Sequence, residues 1–175
     1  AEVVEVGHSD FQGAIALRGQ MMLTGEDVWS PMQFENLDNV ECHRDTTGPE
    51  IHLQLDPNMP WSGFVGGAGT GGTMMGMHDY RDKTKFLDYK CVLVVPEEDA
   101  QNHGIQGIND GQDFLLDPDK MDDIMKVSTA DAIERARRLA QENGLLVGIS
   151  AGANVLAAER WIAKRRPAGV VVTIL

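Results

Sequence analysis

The chain has 175 residues, of which 42% are hydrophobic and 24% charged, which suffices for one medium-sized domain with a hydrophobic core. Its formal net charge of -12 argues against nucleic acid or an anionic membrane surface as a partner. Two cysteines, Cys42 and Cys91, do not form a disulfide framework, so a reducing, cytoplasmic location is expected. No apolar run approaches the roughly 20 residues needed to span a bilayer.

Five short apolar runs are predicted to be β-strands. They are rich in β-branched residues and nearly all apolar, which is typical of strands buried on both faces of a parallel sheet. The runs are residues 3–6, 63–66, 91–95, 145–147 and 170–175. Because the sequence opens and closes on such runs, we expect it to be a part of a larger fold.

Helical patterns lie between these runs. They cover residues 11–23, 39–55 (interrupted at 46–49), 73–86, 129–143 and 151–164. The clearest is 129–143, where Ser128 is the capping residue and Gly144 follows the last turn. Strands that alternate with helices predict an α/β domain with a mainly parallel sheet flanked by helices. Residues 97–126 have little periodicity and are predicted to form a long surface loop.

A loop of four glycines and two threonines, residues 67–73, joins an apolar strand to a helical pattern. Such bare backbone can curl around an anion and point several N–H groups at it, and the positive end of the helix dipole adds to the attraction. The loop is therefore predicted to bind a phosphate. Its glycines also fit the dinucleotide fingerprint, with Glu97 and Glu98 after the next strand, so an NAD-binding Rossmann domain is an alternative.

Two other features carry a family pattern. Gly148-Ile-Ser-Ala-Gly-Ala-Asn154 is a second strand-to-helix turn, and Gln33-Phe-Glu-Asn36 precedes Thr46-Thr-Gly-Pro-Glu50. With the glycine loop, they make the chain resemble the fold type II pyridoxal-phosphate enzymes, specifically the cysteine synthase (O-acetylserine sulfhydrylase) and cystathionine β-synthase family. The resemblance covers essentially this whole chain, but only about the C-terminal part of the family's length. It implies a tryptophan synthase β-like fold.

The resemblance implies pyridoxal 5′-phosphate as the cofactor. The loop that holds the cofactor's phosphate is matched by Gly69, Thr70, Gly71, Gly72 and Thr73. Ser150 matches the serine whose hydroxyl faces the pyridine nitrogen. A neutral hydroxyl does not protonate that nitrogen as a carboxylic acid would, which suits β-elimination and β-replacement. Gln33 and Gly107 match positions near the substrate.

The implied reaction joins an activated serine and sulfide to give cysteine, with cystathionine synthesis as an alternative. The implied partners are a small amino-acid substrate and a second copy in a dimer, or a complementing N-terminal segment, and neither nucleic acid nor membrane. Residues 1–45 correspond to the tail of the family's small mobile domain. Residues 46–175 correspond to most of its large cofactor-binding domain.

The chain also departs from the family pattern. The Schiff-base lysine of the family precedes the region where Ala1 begins, and none of the lysines present matches it. The isolated chain is therefore expected to be inactive, and a non-catalytic homologue that binds the cofactor's phosphate or a partner is an alternative. Residues 109–114 differ from the usual Gly-x-Gly-Phe-x-Pro, which leaves substrate preference open. The histidines and cysteines have no metal-ligand spacing, so no metal is expected.

Overall fold

The computed structural model describes residues 3–7, 10–25, 27–99, 102–108 and 113–175. The chain divides into two compact units, Ala1–Met32 and Gln33–Leu175. The first unit contains helix α1 (Phe11–Thr24), which begins where the side chain of Asp10 accepts a hydrogen bond from the Gly13 N–H. Residues 3–6 were predicted to be a strand, but they form none here. The proposed domain boundary between residues 45 and 46 stays a prediction.

The second unit begins with a helical segment that changes its pitch. Helix α2 (Asp38–Cys42) continues into a π-helical turn (His43–Thr47) and then into α3 (Gly48–Gln54). The predicted interruption at residues 46–49 was wrong, because the chain stays helical there: the π-helical turn leads directly into α3, and Pro49 lies in the first turn of α3.

Four parallel strands form the sheet of the second unit. They are β1 (Trp61–Gly67), β2 (Lys90–Pro96), β3 (Asp123–Val127) and β4 (Val170–Thr173). Their order is β3-β2-β1-β4, and each neighbouring pair is parallel. The predicted mainly parallel α/β architecture is therefore confirmed.

Two further predictions about strands, both in the second unit, were wrong. Strand β3 begins within residues 97–126, which were predicted to be a loop, and a short 3-10 turn (Pro118–Lys120) precedes it. Exposed residues alternate along β3 because it lies at an edge of the sheet, so its sequence contains no apolar run that would predict a strand. Residues 145–147 form no strand. The side chain of Leu146 is 93% exposed, as expected of an apolar run that has no neighbouring strand among the described residues.

Three longer helices flank the sheet. They are α4 (Gly72–Lys83), α5 (Thr129–Asn143) and α6 (Ile149–Arg165). The predicted ends of α5 are confirmed, since the Ser128 hydroxyl accepts a hydrogen bond from the Asp131 N–H and Gly144 ends the helix in a left-handed conformation.

Alternate strand residues enter two separate hydrophobic clusters, because successive side chains of a strand point to opposite faces. Phe64 and Leu93 pack with residues of α4, including Met74. Val65 and Val92 pack with α5 and α6 on the other face. The second unit is thus a sheet covered by helices on both sides.

The packing of α6 on α5 yields a stability prediction. A Cβ added at Gly152 would lie 2.2 Å from the carbonyl oxygen of Ala132 and 2.8 Å from the amide nitrogen of Ala136. These backbone atoms cannot rotate away, so Gly152→Ala should lower the free energy of unfolding by about 1–3 kcal/mol in urea denaturation. The control is Gly19→Ala in α1, where a Cβ meets nothing within 4 Å. Equal unfolding midpoints for the protein and Gly152→Ala would contradict the close helix contact.

Candidate functional site

The glycine loop lies at the carboxyl end of β1, where the strand order reverses. From β1 the chain continues to β2 on one side, whereas β4 pairs with β1 on the other side. In open parallel sheets, ligands bind outside the carboxyl ends of the strands at such a reversal. The position of the loop therefore fits a binding site.

Close neighbours explain the glycines of the loop. Gly71 has a φ of 91°, a left-handed conformation that side chains disfavour, and a Cβ there would lie 2.4 Å from the amide nitrogen of Leu116. A Cβ at Gly69 would lie 2.8 Å from the carbonyl oxygen of Gly107. The loop is thus bare backbone held between two other segments.

The N-terminus of α4 provides the donors that an anion needs. Its capping residue, Gly71, has no side chain to satisfy the first N–H groups. The Gly72 N–H donates to the Thr70 hydroxyl over 3.3 Å, while the N–H groups of Thr73 and Met74 have no acceptor within the helix. Free N–H groups, the helix dipole and the hydroxyl of Thr73 fit the phosphate group of pyridoxal phosphate.

Two residues that the sequence analysis missed support this loop. The Asn39 Nδ2 donates to the Thr70 Oγ1 over 3.1 Å and to the carbonyl oxygen of Gln33 over 3.0 Å. His43 lies four residues further along the same helical segment, and its Nε2 is 3.1 Å from the Thr73 Oγ1. The available signal was this spacing of four between two family motifs, which places both side chains on one helix face.

His43 connects the loop to the π-helical turn. Its Nδ1 is 2.9 Å from the Thr47 Oγ1, so the ring bridges two threonine hydroxyls. Burial lowers the pKa of His43 from its ordinary value of 6.5. The ring is therefore neutral at pH 7, with one nitrogen donating and the other accepting. Single π-helical turns often occur at functional sites, and here the turn contains Thr46 and Thr47, the first two residues of the Thr46-Thr-Gly-Pro segment.

The other predicted site residues lie at the same end of the sheet. Gln33 is joined to the loop through Asn39, and Gly107 through the contact of its carbonyl with Gly69. The ring of Phe34 lies 4.5 Å from that of Phe114, centroid to centroid. Residues 109–112, in the predicted departure from the family pattern, lie outside the described residues.

Ser150 lies in the first turn of α6 and is half-buried. Four residues on, Asn154 accepts a hydrogen bond at Oδ1 from the N–H of Gly67, over 2.9 Å. Helix α6 is therefore bound directly to the end of β1 from which the glycine loop starts. Asn154, like Asn39 and His43, is a supporting residue that the sequence analysis missed, because its partner is 87 residues away in the sequence.

The segment that carries Gly107 is anchored on both sides. Ile105 and Ile108 are buried in the core, and the Gly104 N–H donates to the Thr129 Oγ1 over 2.9 Å. The Thr129 N–H in turn donates to the Glu98 Oε1 over 2.8 Å and lowers the pKa of that carboxyl. One oxygen of Glu98, an acidic residue of the dinucleotide alternative, is thus hydrogen-bonded within the protein.

All the lysines lie among the described residues, and none is buried. Lys90 is half-buried and the others are exposed, namely Lys83, Lys85, Lys120, Lys126 and Lys164. Three of the six pair with aspartates at 2.9–3.8 Å. A desolvated amine of the kind that forms a Schiff base is therefore not provided by these side chains.

Within the described ranges, no three His, Cys, Asp or Glu side chains come together as metal ligands would. Among the helices of that part of the chain, none has both the length and the apolar character needed to cross a bilayer.

The comparisons with known proteins identify the family. Residues 1–175 match the family described as "Pyridoxal-phosphate dependent enzyme", and the chain belongs to it. Cysteine synthase B of Campylobacter jejuni is 37% identical over 174 residues, which cover 94% of this chain and 56% of that protein. The chain spans about half the length of the curated relatives it matches, for example 57% of a Staphylococcus aureus cysteine synthase.

Solved structures give the same fold. A hydrogen sulfide-producing enzyme of Fusobacterium nucleatum superposes with a TM-score of 0.83 at 34% identity, over 94% of this chain and 52% of that one. The O-acetylserine-dependent cystathionine β-synthase of Helicobacter pylori superposes with a TM-score of 0.77 at 31% identity, over 95% of this chain and 56% of that one. The resemblance to fold type II enzymes is thereby confirmed.

The lowered pKa of His43 yields a pH prediction. At pH values between the lowered pKa of His43 in the folded chain and 6.5, the unfolded chain binds more protons than the folded chain. The neutral ring therefore contributes its full stabilisation above pH 6.5, and this contribution is lost as the pH falls through the lowered pKa. The difference in unfolding free energy between the protein and His43→Gln should therefore shrink on acidification. Urea denaturation at several pH values measures it, and a difference independent of pH would contradict the lowered pKa.

Proposed function

We propose that this chain provides the cofactor-binding part of a cysteine synthase-like enzyme, which joins an activated serine and sulfide to give cysteine. The observation that carries the proposal is the glycine loop with free N–H groups at the start of α4, in a chain whose family uses pyridoxal phosphate. Its relatives include cysteine synthases at 33–37% identity.

The cofactor's phosphate is proposed to bind the glycine loop. The residues that hold it are Gly69, Thr70, Gly71, Gly72 and Thr73. Backbone N–H groups and the Thr73 hydroxyl donate to the phosphate oxygens, while His43 orients that hydroxyl through its 3.1 Å contact. Asn39 keeps Thr70 in place from the side of Gln33.

Ser150 is proposed to face the pyridine nitrogen of the cofactor. When bound, pyridoxal phosphate supplies an electron sink that eases removal of an α-proton and departure of a β-substituent. An uncharged hydroxyl at the ring nitrogen suits this chemistry better than transamination, because it leaves the ring a weaker sink. Gln33 and Gly107 are proposed to contact the amino-acid substrate, since both are joined to the glycine loop.

The reacting amine is proposed to come from a different polypeptide segment, because the six lysines here are exposed or half-buried. Residues 1–45 would then belong to the small mobile domain and residues 46–175 to the large one. A complementing N-terminal segment would complete the site, and a second copy of the chain is proposed as the partner in a dimer. The 175 residues alone should accordingly bind the cofactor without turnover.

The phosphate contact predicts the effect of Thr73→Ala. A hydrogen bond to a charged group contributes about 1.5–3 kcal/mol, so the variant should bind pyridoxal phosphate at least about tenfold more weakly. Fluorescence or absorbance titration of the cofactor measures the dissociation constant, and Thr73→Ser should restore most of the affinity. The matched control is Thr84→Ala at the opposite end of α4, which should bind as the unsubstituted protein does. Equal affinities for all four proteins would refute the assignment of the loop.

Activity is tested in a chimera. This chain replaces the part of Campylobacter jejuni cysteine synthase B that it matches, so that the remainder of the relative provides the reacting lysine. The chimera should form cysteine from O-acetylserine and sulfide, whereas the 175-residue chain should not exceed the rate of free pyridoxal phosphate. Cysteine synthesis by the chain alone would overturn the inactive-segment proposal. A cofactor-loaded chimera without β-replacement would contradict the synthase proposal.

A second candidate function is sulfide release. It is favoured by the likeness to the hydrogen sulfide-producing enzyme, with a TM-score of 0.83 at 34% identity, and by the unusual sequence of residues 109–114. The same chimera separates the two functions, because one consumes sulfide with O-acetylserine and the other releases it from a thiol amino acid such as cysteine. The faster of the two rates identifies the reaction.

A further inference from the structure

Asn154 is a buried amide with two backbone partners. Its side chain is 8% exposed, its Oδ1 accepts from the Gly67 N–H over 2.9 Å, and its Nδ2 donates to the Ile174 carbonyl over 3.1 Å. Both ends of the amide are therefore satisfied, each by a different segment of the chain. Among buried residues of α6 it is the polar one, since its buried neighbours are small or aromatic.

These two partners lie at the ends of neighbouring strands. Gly67 is the last residue of β1, and Ile174 follows β4. The pairing of β1 with β4 reaches Val65 and Thr173, where the Thr173 hydroxyl also donates to the Val65 carbonyl over 2.8 Å. The Asn154 amide thus bridges the two strands just beyond their last pair, where the strand order reverses.

The same residue lies one helical turn from Ser150. Side chains four residues apart lie on the same face of a helix, and they lean towards its N-terminus. Any shift of Asn154 along the helix axis therefore moves Ser150 by the same amount. Since Gly67 leads into the glycine loop, one amide connects the two turns that the proposed function assigns to opposite ends of the cofactor.

We propose that Asn154 is a positioning residue that sets the separation between Ser150 and the phosphate-binding loop, an inference that rests on the proposed function. The bridge requires an amide side chain, because the Gly67 N–H needs an acceptor and the Ile174 carbonyl needs a donor. An aspartate keeps the acceptor but turns a second oxygen towards the Ile174 carbonyl, and a leucine of similar size provides neither group.

The test compares a ligand that reaches both turns with one that reaches a single turn. Pyridoxal phosphate is expected to contact the loop and Ser150, whereas inorganic phosphate contacts the loop alone. In Asn154→Asp, the dissociation constant of pyridoxal phosphate should rise about tenfold, while that of inorganic phosphate changes less than about twofold. Asn143→Asp, the same substitution at the exposed end of α5, is the control and should change neither.

Acidification should restore the affinity of Asn154→Asp for pyridoxal phosphate, whereas a variant that is weakened by a general loss of stability would not regain it. Protonation of the introduced carboxyl restores a donor for the Ile174 carbonyl, so the affinity ratio between Asn154→Asp and the unsubstituted chain should approach one at low pH. Equal weakening of both ligands, or no weakening of either, would overturn the positioning role.

Hydrogen exchange of the Gly67 amide tests the Asn154 bridge independently of the proposed cofactor binding. Asn154→Leu removes the acceptor of the Gly67 N–H, so that amide should exchange at least about tenfold faster while the exchange of amides within α5 stays the same. Unchanged protection of Gly67 would overturn the bridge itself. Failure of the unsubstituted chain to bind either ligand would instead refute the proposed function, and the exchange of Gly67 would still decide the role of Asn154 as a bridge.

Discussion

Close approach of backbone to backbone at the end of β1 is the constraint on which the rest of the site depends. Gly71 lies against the backbone of Leu116, and Gly69 lies against the carbonyl of Gly107, so a side chain at either position would push these segments apart. The contacts hold the loop in one conformation before any ligand arrives. Donor groups that are already held in place lose little entropy on binding, which supports the phosphate site proposed for this loop.

The electrostatics of this loop differ from those of a basic phosphate site. The groups identified around it are backbone amides, threonine hydroxyls, the Asn39 amide and the neutral ring of His43. In a chain of net charge -12, binding by oriented dipoles makes the site selective for geometry, because each donor must meet an oxygen at hydrogen-bond distance. This explains why the half-buried His43, with its lowered pKa, is suited to hold Thr73, since its neutral ring can accept from the hydroxyl or donate to it.

Local patterns were sufficient for the parts of the fold that depend on local forces. Ser128 and Gly144 marked the ends of α5, and the apolar runs of β1 and β2 marked buried parallel strands. Strand β3 was missed because Asp123 and Lys126 belong to an edge, where the partner strand, and not an apolar run, determines the structure. Residues 145–147 have the composition of a strand but no partner among the described residues.

The glycine loop could be predicted because its chemistry is contiguous in the sequence, whereas its supports could not. Asn39 and Asn154 reach their partners across 31 and 87 residues; the spacing of Asn39 and His43 indicates a shared helix face, but it does not identify the loop that this face contacts. The difference in predictability has a physical reason. A phosphate-binding loop needs consecutive N–H groups, which are neighbours in the sequence. The distance between the groups that bind the two ends of a ligand depends instead on how strands and helices pack. The parallel sheet brings the loop after β1 and the turn before α6 to one edge, and a single buried amide between β1 and β4 then holds them in register. The proposed cofactor contacts thus depend on the packing of one sheet edge within residues 33–175.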